Sequence, residues 1–506
     1  MMQLLMQRLI LCMALSTLGA GCRSTIVSSP AQPQTQTTAQ MPAEMPAEIP
    51  AEIATLSLVR TLEQKDVLSD NQYQLMVMSL QQLQQDLGGK PLAYSSLSRD
   101  QLRLSSELLS LIKVLNTQHG GAEVSNITTV AQLAQYLQHH LPMHDQVIRL
   151  RAMIQQYQSS SAIPWPKLTA KNYRLGQRHH QISQLKIMLQ WFGDLPVRDN
   201  DTGSGSGGDG VEREMRTAIF DPDLIEGLKR FQRRHGLGAT GQLNKATTNA
   251  LNVTPTTRIR QMQTNLWRWF SLPAQLPERY LRVNIPQYQL MLYHAGELAL
   301  KMPVIVGRAD WPTPRLSTTL TRLTINPTWT PPTSIIRADL LPRHRQQPDF
   351  LNRQGFELHQ GALTNPLRRA IPDPALQRLA PLLQRYRLVQ TAGPRNALGQ
   401  FRFLIVNTQA IFLHDSPAKY LFANSRRALS HGCIRLANAN NLSDYLFKTD
   451  PKLHSINMQR LLRKDATQSF SLSQPLPVFI TYHTSWVDSG GTLQLRPDIY
   501  HLDRGI

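Results

Sequence analysis

The stretch IFLHDSPAKYLFANSRRALSHGCIRLANANNL, residues 411–442, concentrates the reactive side chains of the chain. An apolar β run ends at His414 and a loop follows to Ser430. His431, Gly432 and Cys433 then precede an apolar-periodic stretch through Ile434, Leu436, Leu442 and Leu446, with Asn438 and Ala439 near the first turn of a helix. A thiol is a weak nucleophile until deprotonated, with an ordinary pKa of about 8.5. Three features would lower it: helix N–H groups beginning soon after Cys433, positive charge from Arg435 and the pair Arg426-Arg427, and an imidazole that accepts the proton. His414 and His431 compete for that last role. His431 stands two residues from the sulfur, where so short a turn restricts its ring; His414 stands 19 residues earlier on a strand rim and is favoured. Either the Asp415 side chain or a neighbouring backbone carbonyl would orient the ring. Gly432 permits close approach of backbone to substrate, and the N–H groups of Gly432 and Cys433 would face a developing oxyanion. Loss of one such donor costs about 3–4 kcal/mol in a transition state. The competing reading is a buried structural cysteine between the apolar neighbours Ile434 and Leu436.

Working outward, the region from 278 reads as mainly β. RYLRVNIPQYQLMLYHAGELALKMPVIVG alternates in strand fashion, and His294-Ala295-Gly296-Glu297 predicts a hairpin turn. LTRLTINPTWT at 320–330 predicts a strand closed by Pro331-Pro332, and strands return at 400–406 and 410–413. Residues 335–390 interrupt them with helix and loop signals.

Upstream, 55–170 reads as a helical scaffold with leucines recurring near a 3.6 period, such as Leu108, Ile112 and Leu115. His139, His140 and His144 have polar flanks and a single nearby carboxylate, Asp145, so they read as surface histidines and not as metal ligands. Residues 171–253 form a second unit, interrupted by the Gly/Ser-rich insertion RDNDTGSGSGGDG at 198–210, which cannot make a packed element. A helical linker at 254–277 leads into the β region.

The N-terminus reads as a targeting segment. Residues 1–22 run from Arg8 through an apolar core to Gly19-Ala20-Gly21-Cys22, a secretory signal layout. Gly21-Cys22 is similar to the end of a bacterial lipoprotein signal, although Gly19 stands where such signals usually carry Leu. Lipidation of Cys22, plain cleavage and an uncleaved anchor stay open. Residues 23–54, with a Met-Pro-Ala-Glu repeat, read as a disordered tether. Three cysteines are present; Cys12 lies in the signal core, and if Cys22 is acylated or removed Cys433 is alone in the mature chain. A solitary thiol in an exported chain is either inert or kept for chemistry, and multi-cysteine zinc sites are excluded by count. The net charge of +20 favours anionic partners. No zinc-finger spacing, RNP pattern or basic zipper helix points to nucleic acid. An anionic envelope polymer, a membrane surface or a merely solvated basic surface account for the charge.

Ser430-His431-Gly432-Cys433-Ile434-Arg435-Leu436, with Asn438, resembles the S-H-G-C-[IV]-R-[LM]-x-N signature of L,D-transpeptidases with a YkuD-type catalytic domain. His414 falls at the base position, and Asp415 stands where many members carry Gly. Leu228, Phe231, Gln232, Gly236, Leu237, Gly241 and Thr247 resemble the small three-helix peptidoglycan-binding domain. The layout is similar to the large Gram-negative YcbB-type members, through Ile285-Pro286, Val306-Gly307-Arg308, Pro312-Thr313-Pro314, Asn326-Pro327, Trp329 and Gly393-Pro394-Arg395-Asn396. The resemblance implies a multidomain protein: helical scaffold, peptidoglycan-binding domain, and a mainly β catalytic domain at 278–506 with a capping subdomain inserted at about 335–390. It implies a Cys433 thioester formed from a tetrapeptide stem, 3→3 cross-linking, no cofactor or metal, and acylation by carbapenems. Arg435, Asp415, Ser430, Asn438 and Trp329 would support the site, and the small domain would either contact peptidoglycan through Phe231, Gln232 and Gly236 or only orient the catalytic domain. The implied setting is the periplasm, with stem peptides and wall-synthesis proteins as partners. An L,D-carboxypeptidase or cross-link hydrolase, and a non-catalytic wall-binding scaffold, are the alternatives.

Overall fold

The computed structural model describes residues 70–89, 106–119, 136–137, 141, 144–161, 163–197, 218–362, 366–372, 379–464 and 466–503. The signal segment with Cys22, the tether at 23–54, His139, His140 and the insertion at 198–210 lie outside the described residues.

Helices α1 (Asp70–Asp86), α2 (Ser106–His119) and α3 (Asp145–Ser159) build the scaffold. The expected stripe is buried: Leu108, Ile112 and Leu115 of α2 meet Leu150 and Ile154 of α3 in one core. The segment read as a linker is instead part of that core. Pro255–Phe270 (α7) is capped by Thr254, with Pro255 in its first turn, and buries Met262, Leu266, Trp269 and Phe270. Charge anchors the packing, because Arg151 Nε meets the buried Asp86 carboxylate at 2.6 Å. His144 is not a surface histidine: its ring is half-buried and lies 6.4 Å from Trp269. Among the described residues no helix is long and apolar enough to cross a membrane.

The second unit contains α4 (His180–Trp191), α5 (Pro222–Arg234) and α6 (Lys245–Leu251) around Ile182, Leu185, Leu189, Leu228, Phe231 and Leu251. Asp221 caps α5 by accepting the Leu224 N–H at 2.8 Å. The three residues expected to contact peptidoglycan are used internally. Phe231 is fully buried and stacks on His235 at 3.7 Å. Gln232 is fully buried as well. Its amide donates to Gln242 O at 2.9 Å and Thr247 Oγ1 at 2.8 Å, and its carbonyl accepts the Gly241 N–H at 2.8 Å. At Gly236, φ is +67° and a Cβ would lie 2.5 Å from Arg496 Cδ, so this turn touches the β domain. A long polar side chain at zero exposure must be hydrogen-bonded, and Gln232 meets that demand by tying α5 to the α6 loop. The unit docks through Arg234. It pairs with Asp194 at 2.8 Å and donates to Leu493 O at 3.0 Å, while Arg496 donates to Arg234 O at 2.7 Å.

The β domain is a nine-stranded sheet in the order β10-β3-β11-β9-β8-β4-β12-β1-β2, and a β2–β3 pairing closes it. Its strands are β1 (Arg279–Asn284), β2 (Gln289–His294), β3 (Glu297–Gly307), β4 (Leu316–Ile325), β8 (Phe401–Ile405), β9 (Leu413–His414), β10 (Ala428–Ser430), β11 (Ile434–Leu436) and β12 (Gln468–Thr481). The predicted hairpin is present: β2 and β3 pair antiparallel across Ala295 (φ +51°) and Gly296 (φ +82°). Two left-handed residues are what a type I′ turn requires. β4 stops at Ile325, short of the expected Thr330, because Asn326 turns left-handed (φ +46°) before Pro327. A terminal hairpin, β13 (Ser485–Val487) with β14 (Leu493–Leu495), meets the helices through Gln146, whose amide donates to Val487 O at 2.6 Å.

The insertion differs from its reading as helix and irregular chain. Helical segments Thr333–Ile335, Ile336–Leu340 and Leu341–Gln346 are followed by a three-stranded antiparallel sheet of β5 (Phe356–Gln360), β6 (Leu367–Ala370) and β7 (Arg387–Gln390). These strands are only four or five residues long, and β6, with two arginines, is exposed throughout, so no run long enough for a period-two signal survives. Ile336, Leu340, Leu351, Phe356, Leu358 and Leu388 form the insertion's own core.

Replacing Gln232 with Ala leaves the Gly241 N–H and the Thr247 hydroxyl without their buried partner, at a cost of about 2–3 kcal/mol. Hydrogen–deuterium exchange of the full chain should show faster exchange in α5 and α6, with the β domain unchanged.

Candidate active site

β9 and β11 are parallel neighbours, with Ile434 opposite Leu413 and Arg435 opposite His414. Leu413 and Ile434 are fully buried in the sheet's apolar core. Side chains alternate along a strand, so His414 and Arg435 face away from that core together. Cys433 immediately precedes β11, and the Arg435 charge acts on both its thiol and the His414 ring.

The His414 ring is buried, and its Nδ1 lies 2.5 Å from the Asp415 backbone carbonyl. A carbonyl only accepts, so Nδ1 carries the proton and Nε2 is left as an acceptor. Of the two orienting groups left open by the sequence, the backbone carbonyl of Asp415 is the one used. The Asp415 carboxylate is engaged elsewhere: Oδ1 pairs with Lys419 Nζ at 2.5 Å and Oδ2 accepts the Gln400 N–H at 3.0 Å. Burial pushes the His414 imidazole down to about 3, with the Arg435 charge adding to it against the opposing Asp415 contact.

Cys433 is a free thiol, and burial pushes it up, against smaller opposing contributions from the Phe412 backbone and Arg435. This reverses the expectation of a thiol lowered by an adjacent helix. A strand follows Cys433, and the helix α8 (Ala439–Thr449) begins only after it, with Asn438 as an exposed cap residue that makes no capping bond. Arg427 is turned away as well; it donates to Asn424 O at 2.7 Å and its guanidinium lies 5.2 Å from the Tyr288 ring. Arg435 is the member of the expected cationic set whose charge acts on the sulfur.

The nucleophile loop is held from inside. Ser430 is buried; its hydroxyl donates to Cys433 O at 2.6 Å and accepts the Gly432 N–H at 3.1 Å. Gly432 needs its φ of +107°, and its N–H is already occupied, which removes it from the expected pair of oxyanion donors. Thr313 closes the loop from β3: it accepts the Gly307 N–H at 2.9 Å and donates to Gly432 O at 2.7 Å. Pro312-Thr313-Pro314 was visible in the sequence as a motif, but its role as a latch was not. His431 lies edge-on to Trp311, with ring centroids 5.3 Å apart, and burial lowers its imidazole. His431 Nε2 and Arg435 Nε are buried without a hydrogen-bond partner. Two such atoms flanking the thiol are suited to a polar ligand.

The insertion reaches this face electrostatically. Asp339 acts on both His431 and Arg435, and Tyr420 acts on Arg435. Neither residue was singled out in the sequence. Trp329 bridges to Gln390 and packs against the insertion's core, 6.0 Å from the Phe356 ring.

Residues 278–451 match the YkuD model, the L,D-transpeptidase catalytic domain, and residues 178–251 match a “Putative peptidoglycan binding domain”. A Haemophilus influenzae protein described as a “Putative L,D-transpeptidase” is 34% identical over 226 residues, which spans 44% of this chain and 44% of that relative. Among solved structures, an L,D-transpeptidase from Mycobacterium smegmatis is 16% identical over 40% of this chain and 58% of its own, with a TM-score of 0.20. Another from Stackebrandtia nassauensis is 11% identical over 62% of this chain and 97% of its own, with a TM-score of 0.22. The chain is thus a multidomain protein related to bacterial L,D-transpeptidases, with a helical N-terminal region, a small helical peptidoglycan-binding domain and a mainly β YkuD catalytic domain.

Proposed function

We propose that this chain forms 3→3 cross-links between peptidoglycan stem peptides, with Cys433 as nucleophile and His414 as general base. The observation that carries the reading is the His414 ring held at Nδ1 by the Asp415 carbonyl, with Nε2 left as an acceptor and with one neighbour, Arg435, acting on both that ring and the Cys433 thiol. The free enzyme then rests as a neutral thiol beside a neutral imidazole, given a thiol raised and an imidazole lowered by burial. Proton transfer accompanies attack. As the Cys433 sulfur bonds to the carbonyl carbon of the stem's third residue, its proton passes to His414 Nε2. Collapse of the tetrahedral intermediate breaks the amide, and the same proton leaves with the departing D-Ala amine. A side-chain amine of a second stem attacks the thioester, gives its proton to Nε2, and the sulfur recovers a proton as the C–S bond breaks. Arg435 balances carboxylate charge on the substrate. The Cys433 N–H serves the oxyanion, since Ser430 holds the other candidate donor.

The layout supports the YcbB-type subgroup, with the insertion as a cap that limits water at the thioester. The small helical domain orients the catalytic domain: its signature residues are buried or face Arg496, and Arg234 fixes it to the terminal hairpin. The positive charge and the signal-like N-terminus support an exported, periplasmic protein attached through lipid on Cys22. Palmitate labelling that persists in Cys22→Ser would rule the attachment out.

Mass analysis after incubation with disaccharide-tetrapeptide should show a cross-linked dimer and released D-Ala. Tripeptide without dimer would identify a hydrolase instead. Cys433→Ala should abolish product and the covalent adduct formed with a carbapenem. His414→Ala should reduce turnover by about 10²–10⁴-fold, more than His431→Ala does. The acid limb of kcat/KM should fall below pH 6.5, because His414 stays neutral down to about 3 in the folded protein. The same shift has a stability consequence. The folded pKa lies below the unfolded one, so stability is intact above about pH 6.5 and is lost as pH falls toward the folded value. His414→Gln should lose less stability over that window in urea titrations.

A further inference from the structure

Taking His414 as the base, as proposed above, we infer that Lys419 is a positioning residue for it. Lys419 Nζ reaches two points at once: the Asp415 carboxylate at 2.5 Å and the Ala437 carbonyl at 2.8 Å. Asp415 supplies the carbonyl that fixes His414, and Ala437 directly follows β11, the strand that Cys433 leads into. One ammonium group therefore bridges the histidine strand to the nucleophile strand.

The far side of Asp415 is fixed too. Its Oδ2 accepts the Gln400 N–H at 3.0 Å. Gly399 is left-handed at φ +61°, and a Cβ there would lie 2.3 Å from that oxygen, so the carboxylate sits in a seat that only glycine leaves open. The Asp415 side chain is 11% exposed and that of Lys419 is 52% exposed. A carboxylate so covered and stripped of its counter-charge moves toward water, and its backbone carbonyl moves with it. Small displacements of a reacting group are costly, up to about a hundredfold per ångström. The lysine lines a polar cleft of about 430 Å³ with Gln400, Asn438, Asn440 and Asn441, which opens the position to small solutes.

The test follows the alkylation rate of Cys433 by iodoacetamide in the full chain, from about pH 6 to about pH 9, alongside kcat/KM on tetrapeptide. Lys419→Met should slow both by about tenfold or more and alter the pH profile in the direction of His414→Ala. Lys419→Ala should be slow and recover with added ethylamine, and not with tetramethylammonium, which has no N–H to donate. Asp415→Asn should be slow and unresponsive to the amine. Lys419→Met alkylating within about twofold of the wild type, or Lys419→Ala left slow by ethylamine, overturns the inference. The two readings separate cleanly. A fast His414→Ala refutes the base assignment itself, whereas a slow His414→Ala beside a wild-type-like Lys419→Met refutes only the lysine's role.

Discussion

Two short parallel strands, Leu413–His414 and Ile434–Leu436, hold together everything the site does. Their apolar members, Leu413 and Ile434, are locked into the sheet core at zero exposure. Register then leaves no freedom for their neighbours, because a shift by one residue would turn every side chain to the opposite face. His414, Cys433 and Arg435 are thus placed by the burial of residues that take no part in chemistry. The strands are only two and three residues long, so β8 and β3 on either side supply the stability that so few ladder bonds cannot.

Burial also sets the protonation states. The same desolvation raises a thiol and lowers an imidazole, since both charged forms are disfavoured in a low-dielectric site. Both shifts favour the neutral thiol and the neutral imidazole, and the mechanism proposed above therefore moves one proton during attack. Geometry is accordingly where the structure invests its hydrogen bonds. Ser430 ties the ends of the nucleophile turn, Thr313 latches that turn to β3, and the Asp415 carbonyl fixes the ring. Arg435 lowers the imidazole and the thiol together. It disfavours protonation of the imidazole while easing ionisation of the sulfur.

The helical parts contribute rigidity. Arg234 and Gln146 attach two different helical units to the single β13–β14 hairpin, and Arg268 of α7 pairs with Asp503 near the end of the described chain at 2.7 Å. Residues with the look of ligand contacts, Phe231 and Gln232, serve this framework instead. A motif conveys that residue types occur together, and it does not convey whether their polar atoms are already satisfied.

From the sequence alone came the order of the units, the hairpin at Ala295-Gly296, the helical stripes and the spacing that paired His414 with Cys433. Each of these follows from local chemistry: backbone preferences of glycine, apolar periodicity, and the scarcity of cysteine in a chain of 506 residues. Only the tertiary structure decided the rest. It chose a backbone carbonyl over the Asp415 carboxylate, put a short strand between Cys433 and the helix that begins, as expected, at Ala439, occupied the Gly432 N–H with Ser430, and brought Asp339 and Lys419 to the site. Those outcomes depend on partners distant in the chain and on how deeply each group is removed from water, and neither quantity is encoded in local spacing.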